Sequence, residues 1–362
     1  MATNLMAASR QWATRPQDQR FETLDALFDS VHNRRLRSRS ADIALTGIEA
    51  AEVNGNITLN HGIKAVEPTH WSFGQLAGWI HAPAEYLRRL PAPLAVQNIN
   101  HGIRETAKET SDLKFMTVLA PSGSFNTLQA VTSTKYGRIW DADVVKCAMQ
   151  IRDRSNGKFY NPLAYSPSTG KPVPSGLYAS DRDVFIFMVD GGSLLDAGPR
   201  AQLNRGFFLW NSETGKSTFG LMTFLFNVVC GNHIVWGATN VNQVSIIHRA
   251  GAPLRFNNEA FPNLMAYAAG SSAPELAAVK KAQDYLLPAP GRDKVIEWLQ
   301  ARKFTKSEAG ETFDTAMKEE GDCRTLWHVI QGATAYARGF DYVDARVEME
   351  TKAGRLMNLV VM

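Results

Sequence analysis

Cysteine is scarce in this sequence and never clustered. The three cysteines among 362 residues, Cys147, Cys230 and Cys323, lie far apart, and no CxxC pair occurs. An odd number of scattered thiols argues against a disulfide framework and against a cysteine-based zinc site. The pattern suits the reducing cytosol, so the sequence predicts a cytoplasmic protein.

Long hydrophobic runs are also lacking. The longest, Phe219 to Cys230, includes Asn227 and is far shorter than the roughly 20 residues needed to cross a bilayer. The first residues carry no continuous apolar stretch behind a basic start, so no secretory signal is expected. We therefore expect no membrane partner.

There is little excess of charge of either sign, and no repeat or low-complexity tail. The net charge is +4, while 44% of the residues are hydrophobic and 20% are charged. These values are ordinary for a packed globular chain and exclude intrinsic disorder. Because the net charge is so small, nucleic-acid binding would need a local basic patch.

Several motifs of known chemistry are missing. Gly215-Lys216-Ser217 suggests a phosphate-binding P-loop, but the glycine required five residues earlier is replaced by Trp210. The histidines form no HxH or HExxH pattern, and Cys230 and His233 have no second pair nearby. Because serine-hydrolase, kinase and dinucleotide signatures are absent as well, we expect no metal and no cofactor, and a binding protein more than an enzyme.

Acidic residues leave one enzymatic alternative open. Asp181 and Asp183 flank Arg182 just before an apolar run, and Asp141/Asp143 and Glu319/Glu320 form further pairs. Carboxylates from separate elements can gather a magnesium ion for strand cleavage. A magnesium-dependent nuclease using Asp181 or Asp183 is therefore an alternative, although neighbouring acids are more often solvated or lie at helix starts.

The predicted secondary structure divides the chain into three segments. Residues 1–110 are predicted to be mostly helical, with an amphipathic helix from Phe21 to Val31 running into a basic stretch, a helix capped by Ser72, and another begun by Pro83. Residues 251–362 are predicted to be helical again, from apolar spacings around Val279, Trp298 and Val329.

The middle segment, 111–250, carries the β-rich runs, separated by Gly, Pro, Asn and Ser clusters. A helix is expected after Trp140, and residues 155–180 are expected to form a loop or flap. The runs themselves are Lys114–Leu119, Thr127–Ser133, Val184–Val189, Gly206–Trp210 and Val244–His248. The predicted fold class is α+β, with a central mixed or antiparallel sheet core and helical N- and C-terminal segments.

A hairpin is predicted between the apolar runs on either side of residues 211–217. Asn211 and Ser212 favour turns, and Gly215 supplies a positive φ. One interpretation is a purely structural turn. The functional alternative is a polar tip that projects Glu213 and Lys216 onto a ligand or a neighbouring subunit.

The same hairpin carries a family resemblance. Residues 205–217, with "NSETG", are followed by Cys230-Gly231-Asn232 as "C-x-N", and this pattern resembles the centre of the "domain of unknown function 932" family. Residues 130–136 resemble its strand and turn, and residues 326–355 its last helices. The resemblance implies a phage, prophage or plasmid context, but no particular activity.

Cations and aromatic rings interleave between Lys135 and Tyr160. Phosphates need positive charge, and unpaired bases need flat rings worth about 1–3 kcal/mol each. We therefore predict a single-stranded nucleic-acid-binding protein, oligomeric and active in strand annealing or recombination; a protein-binding modulator of a host system is a further alternative. The predicted binding residues are Arg34, Arg35, Arg37, Arg39, Lys135, Tyr136, Arg138, Lys146, Arg152, Arg154, Lys158 and Tyr160.

Overall fold

The computed structural model describes most of the chain. The described residues are 16–61, 64–120, 126–161, 163–165, 172–174, 176–192, 195–196, 202–227, 233–234, 243–289, 291–340 and 343–361. Within them the chain forms two main sheets with helices packed against both, which confirms the predicted α+β class with a mixed sheet.

The first helix, α1 (Leu24–Arg37), begins at Thr23, whose hydroxyl accepts a hydrogen bond from the backbone N–H of Ala26. Its apolar residues Leu24, Leu27 and Val31 are buried at helical spacing. The predicted basic stretch lies mainly within the last turns of this helix, where cations interact favourably with its dipole.

The first sheet has six strands in the order β1-β5-β6-β4-β3-β2, and all its pairs are antiparallel except β4 with β6. The strands are β1 (Ser38–Ala44), β2 (Ile48–Val53), β3 (Asn56–His61), β4 (Lys64–Pro68), β5 (Asp112–Val118) and β6 (Asn126–Ser133). Between β4 and β5 the chain forms α2 (His70–Trp79), α3 (Ala84–Arg89) and α4 (Ala92–Thr106). Apolar residues of these helices and of the sheet form one buried cluster.

The prediction of a mostly helical first segment overlooked strands β1 to β4. In β1 only Ser38 and Ile43 are buried, so its sequence shows no apolar alternation. The predicted cap of α2 was also misplaced, because Thr69 is the capping residue and Ser72 donates its backbone N–H to it.

The second sheet has the central order β10-β11-β13-β14-β15 and is antiparallel throughout. Strand β7 pairs with β11, β12 with β13, and β16 with β14. The strands are β7 (Phe159–Tyr160), β10 (Leu177–Ala179), β11 (Val184–Asp190), β12 (Leu195–Asp196), β13 (Gln202–Asn211), β14 (Phe219–Asn227), β15 (His233–Ile234) and β16 (Gln243–Ile246), while β8 (Leu163–Tyr165) pairs separately with β9 (Pro172–Pro174). Part of the region predicted as a flap is therefore short strand.

Helices cover one face of the second sheet. Helix α5 (Asp141–Arg154) follows Trp140, as predicted, and packs beside α1. The two helices share a buried cluster with Ile186, Phe207 and Leu209 of the sheet. This packing fixes α5 against the sheet along its length.

The opposite face of the second sheet is lined with aromatic rings that pack over glycines. Phe187 stacks on Phe224 with ring centroids 4.9 Å apart. In the β13–β14 register Trp210 faces Gly220 and Phe224 faces Gly206. A glycine at these positions leaves room for the opposing ring, because a Cβ atom at Gly220 would lie 1.9 Å from Trp210 Cζ2.

The last segment is helical, as predicted. Helix α6 (Ala252–Arg255) continues through a π-helical turn, Phe256–Ala260, into α7 (Phe261–Ala269). The remaining helices are α8 (Ala273–Asp284), α9 (Arg292–Gln300), α10 (Lys306–Glu320), α11 (Leu326–Ala337) and α12 (Val343–Arg355). The buried residues of these helices pack around α11 and form one hydrophobic cluster with Leu203 and Leu225 of the second sheet. In the described ranges, no helix combines the length and apolar character needed to cross a membrane.

Candidate functional site

The predicted hairpin is present, but the first part of its turn, residues 211–214, is buried. Strands β13 and β14 pair in register, and Gly215 has a φ of 87°. Glu213 is only 1% exposed, so the interpretation of a tip projecting Glu213 is wrong. Lys216 is exposed, and its Nζ lies 2.7 Å from Asp183 Oδ2. The turn faces inward because its polar groups bond to surrounding elements.

Arg34 of α1 is the centre of these bonds. Its Nε donates to Glu213 Oε1 at 2.8 Å, its Nη2 to Asp141 Oδ2 at 2.8 Å, and its Nη1 to the carbonyl oxygen of Ser180 at 2.6 Å. Asp141 is fully buried at the N-terminal end of α5. One guanidinium therefore joins two buried carboxylates from different elements. We call Arg34, Arg138, Asp141, Asn211 and Glu213 the polar joint.

Asp141 receives further donors. Asn211 Nδ2 donates to Asp141 Oδ1 at 2.7 Å and to the carbonyl oxygen of Ile139 at 2.8 Å. The backbone N–H of Asp141 donates to Glu213 Oε2 at 3.1 Å. Burial, with the nearby Glu213 charge, raises the pKa of Asp141 well above its ordinary value, although Arg34 and Asn211 act in the opposite direction.

Arg138 is the second arginine of the polar joint. It is buried, donates through Nη1 to the carbonyl oxygen of Glu213, and lies 5.2 Å from the Tyr136 ring centroid and 5.6 Å from that of Trp140. Burial lowers the pKa of Arg138. The Tyr136 hydroxyl donates to the carbonyl oxygen of Ser212 at 3.0 Å. Arg34, Arg138 and Tyr136 are therefore bound to other groups of the protein, so these three residues are poorer strand-binding candidates than the sequence indicated.

The turn also connects the two sheets. Trp71 Nε1 and Gln75 Nε2 of α2 donate to the carbonyl oxygen of Thr214, at 3.1 and 2.8 Å. The Gln75 side-chain oxygen accepts from the backbone N–H of Val131 in β6 at 2.9 Å. The segment that carries the family resemblance therefore stabilises the contact between the two sheets.

Two more predicted cations are held by carboxylates. Arg35 pairs with Asp143. Arg152 lies 2.6 Å from Asp25 and 2.9 Å from Asp153. Each pair neutralises a charge that a phosphate would otherwise contact, so these two arginines are poorer strand-binding candidates than the sequence indicated.

The remaining predicted cations are at the surface. Arg37 and Arg39 are exposed and donate only to backbone carbonyl oxygens in the described part of the chain. No carboxylate among the described residues pairs with the other four, which are Lys135, Lys146, Arg154 and Lys158.

Lys158 and Tyr160 form the most distinct surface feature. Lys158 directly precedes β7 and Tyr160 ends it, and the side chains of both residues lie against the turn at Gly191 and Gly192. Tyr160 is 44% exposed. A Cβ at Gly191 would lie 2.6 Å from Tyr160 Cε1, so the ring lies close over the backbone of that turn. Lys146 and Arg154 are exposed on α5, which contacts β7, and we call these two residues together with Lys158 and Tyr160 the cationic edge.

The nuclease alternative gains no support from the geometry. Asp183 accepts hydrogen bonds from Ser180 at 2.6 Å and Lys216 at 2.7 Å, and Asp181 pairs with Arg182 at 3.2 Å. Across the ranges that the structure describes, no three His, Cys, Asp or Glu side chains are arranged to hold a metal ion. Cys230 lies outside the described residues.

The polar joint was not found from the sequence. Arg34 and Glu213 are 179 residues apart, so no local spacing connects them. One sequence signal was available, namely four consecutive polar residues, 211–214, at the end of an apolar strand, and the structure shows that all four are buried. Buried polar groups need partners, so this pattern indicates a network.

Comparison with known proteins adds no relative. No protein-family model, no curated protein and no solved structure matches the chain.

Proposed function

We propose that the protein binds single-stranded nucleic acid along the cationic edge. The observation that carries this proposal is the pairing of an exposed cation and an exposed ring, Lys158 and Tyr160, which both lie beside the Gly191–Gly192 turn. A cation attracts the phosphate backbone and a ring stacks an unpaired base, so the pair fits the two recognition elements of a flexible single strand.

The length of α5 supports the same proposal. Its fourteen residues extend about 20 Å, from the polar joint at Asp141 to Arg154 beside β7. Because Asp141 is fixed by Arg34 and Asn211, the helix presents its surface cations from a rigid base. A preorganised surface loses less entropy when it binds a strand.

The role suggested for such a protein is strand annealing or recombination in the cytoplasm of a phage- or plasmid-bearing cell. Two features support this setting, namely the resemblance carried by residues 205–232 and the free thiols of Cys147 and Cys323. Annealing proteins hold the backbone and leave base edges free, and a cation beside an exposed ring suits that mode of binding.

A self-associated form is part of this proposal. Leu36 is 61% exposed beside Arg37 and Arg39 at the end of α1, where an adjacent subunit could cover it. Light scattering over a concentration series tests this. A mass equal to one chain at all concentrations would remove the oligomer from the proposal.

Fluorescence anisotropy with a labelled oligonucleotide, over a salt series, tests strand binding. The double change Arg154→Gln and Lys158→Gln should weaken binding and flatten the slope of log K against log salt by about 1.4, since each lost phosphate contact contributes about 0.7. Tyr160→Ala should weaken binding and leave the slope nearly unchanged, because stacking releases few counterions.

The matched control is the double change Lys280→Gln and Lys318→Gln. Both lysines are exposed on the C-terminal helices, so the net charge falls equally at a remote place. If the control lowers affinity as much as the cationic-edge variant, the binding surface lies elsewhere. If the unaltered protein binds no strand at low salt, the proposal fails, and a protein-binding role becomes the better explanation.

A further inference from the structure

A second surface differs in character from the cationic edge. A cleft of about 470 Å³ opens between the ends of α2 and α4, a volume within the usual range of ligand sites. Its lining includes Gly78, Trp79, His81, Thr106, Glu109 and Thr110. We propose that this cleft binds a small organic cation, a guanidinium or alkylammonium group; the proposal is independent of nucleic-acid binding.

The helix directions favour positive charge in the cleft. Helix α2 ends at Trp79 and α4 ends at Thr106, and both residues line the cleft. The C-terminal end of a helix carries about half a unit of negative charge. Two such ends at one opening make an anion an unfavourable occupant and a cation a favourable one.

Glu109 adds a full charge of the same sign. Its side chain is exposed at the rim of the cleft, and within the described ranges it forms no ion pair. The adjacent Lys108 is bound to both carboxylate oxygens of Glu105, at 2.9 and 2.7 Å. Among the residues that the structure describes, the lining includes no lysine or arginine, so the carboxylate of Glu109 is available to an incoming donor.

The other lining groups suit a planar or rounded cation with several N–H donors. Trp79 is half-buried and supplies an indole wall, and an indole is the best aromatic partner for a cation. The hydroxyl of Thr110 can accept a hydrogen bond, and the His81 ring lies beside it in the lining. His81 is held at a positive φ of 55°, an uncommon conformation that tends to occur at functional sites.

Gly78 provides the sharpest test, because a side chain there would enter the cleft without disturbing the fold. Nothing lies within 4 Å of a Cβ built at Gly78, and its φ is not positive. Gly78→Leu should therefore fold normally and narrow the cleft beside Trp79. Glu109→Gln removes the charge and keeps the shape, and Glu49→Gln is its control, an exposed carboxylate on β2.

The experiment is a ligand-observed NMR titration of the whole chain with butylguanidinium, and with butylurea as its neutral isostere. Butylguanidinium should bind the unaltered protein and the Glu49→Gln variant about equally. We expect Glu109→Gln and the exchange for butylurea each to weaken binding about tenfold, and Gly78→Leu to abolish it. Equal binding of the two compounds, no binding of either, or full binding to Gly78→Leu would overturn the proposal.

A further titration distinguishes a guanidinium group on a partner protein from one on a free small molecule. A capped tripeptide, acetyl-Gly-Arg-Gly-amide, presents the guanidinium as a partner protein would. Tighter binding of the tripeptide than of butylguanidinium supports the cleft as a site for an arginine side chain, and weaker binding supports it as a site for a free cationic metabolite. Loss of either ligand in Gly78→Leu places the binding in the cleft.

Discussion

Arg34 and Glu213 lie 179 residues apart in the sequence and are joined by an ion pair of 2.8 Å between Nε and Oε1. The same guanidinium contacts Asp141, so removing it leaves two buried carboxylates without their shared cation. Breaking a buried ion pair from one side costs about 3–5 kcal/mol. Arg34→Met should lower the free energy of unfolding by about this amount, as measured by chemical denaturation.

Arg37→Met is the matched control on the same helix. The Arg37 guanidinium is exposed and donates to the backbone oxygen of Asn33 at 3.3 Å. Its replacement should change the free energy of unfolding by less than about 0.5 kcal/mol. If both variants are equally stable, the polar joint is not the element that holds α1 to the turn.

The middle of the fold was predictable from the sequence because its strands are apolar and deeply buried. Strands β5, β6, β11 and β13 were located to within a few residues, and in β13 seven consecutive residues, 203–209, are buried. Helix α5 was also predicted, since its apolar spacing is regular and Trp140 precedes it.

The surface strands and the polar joint were not predictable in the same way. Strands β1 to β4 carry many exposed polar residues, so their pattern does not distinguish strand from loop or helix. The sequence shows where lysines and arginines cluster, but clustering along the chain does not reveal which partner each side chain has in the fold. Arg138 is buried under Tyr136 and Arg154 is exposed, and only the tertiary structure separates the two.

Gly220 should be intolerant of any side chain. It lies opposite Trp210, and an added Cβ would be 1.9 Å from Trp210 Cζ2. Because the ring must move within a packed aromatic layer, Gly220→Ala should cost about 1–3 kcal/mol. Gly47→Ala is the control, since nothing lies within 4 Å of a Cβ there. Equal melting temperatures of the two variants would contradict the pairing.

Gly215 is a test of the turn itself. Its φ of 87° is favourable only for glycine, whereas a Cβ there would meet its nearest neighbour, Gln75 Nε2, at an ordinary 3.4 Å. Gly215→Val should therefore destabilise the fold by about 1–3 kcal/mol through backbone strain. Gly251→Val, at a negative φ of −82° and in open space, should cost less. Thermal denaturation of both variants decides whether strain is the cause.

The buried thiols should react slowly. Burial raises the pKa of Cys147, and burial together with Asp322 raises the pKa of Cys323 to about 12. Thiolate is the reactive form, so in a Cys230→Ser variant both thiols should resist iodoacetamide in the native state and react at once in denaturant. Mass spectrometry measures the number of labels. Fast native labelling of Cys147 would show that α5 separates from the sheet.

His248 should make stability depend on pH. Its Nδ1 contacts the carbonyl oxygen of Gly137 at 3.2 Å and its ring stacks on Tyr136. Burial, opposed by the Gly137 hydrogen bond and assisted by the Arg138 charge, lowers the pKa of His248 from 6.5 to about 4. Above pH 6.5 the imidazole is neutral in both the folded and the unfolded chain, so this contribution to stability is fully present.

As the pH falls from 6.5 to 4, the unfolded chain takes up the proton first and is stabilised relative to the folded protein. At about 1.4 kcal/mol for each pH unit, His248 should remove about 3 kcal/mol of stability by pH 4. His248→Phe keeps a ring against Tyr136 and cannot titrate. It should be less stable than the unaltered protein at pH 7.5, because the bond to Gly137 is lost, and should gain about 3 kcal/mol relative to it by pH 4. Urea denaturation at pH 7.5, 6, 5 and 4 measures this difference, and a difference that stays constant across the series would show that His248 titrates alike in the folded and unfolded chain.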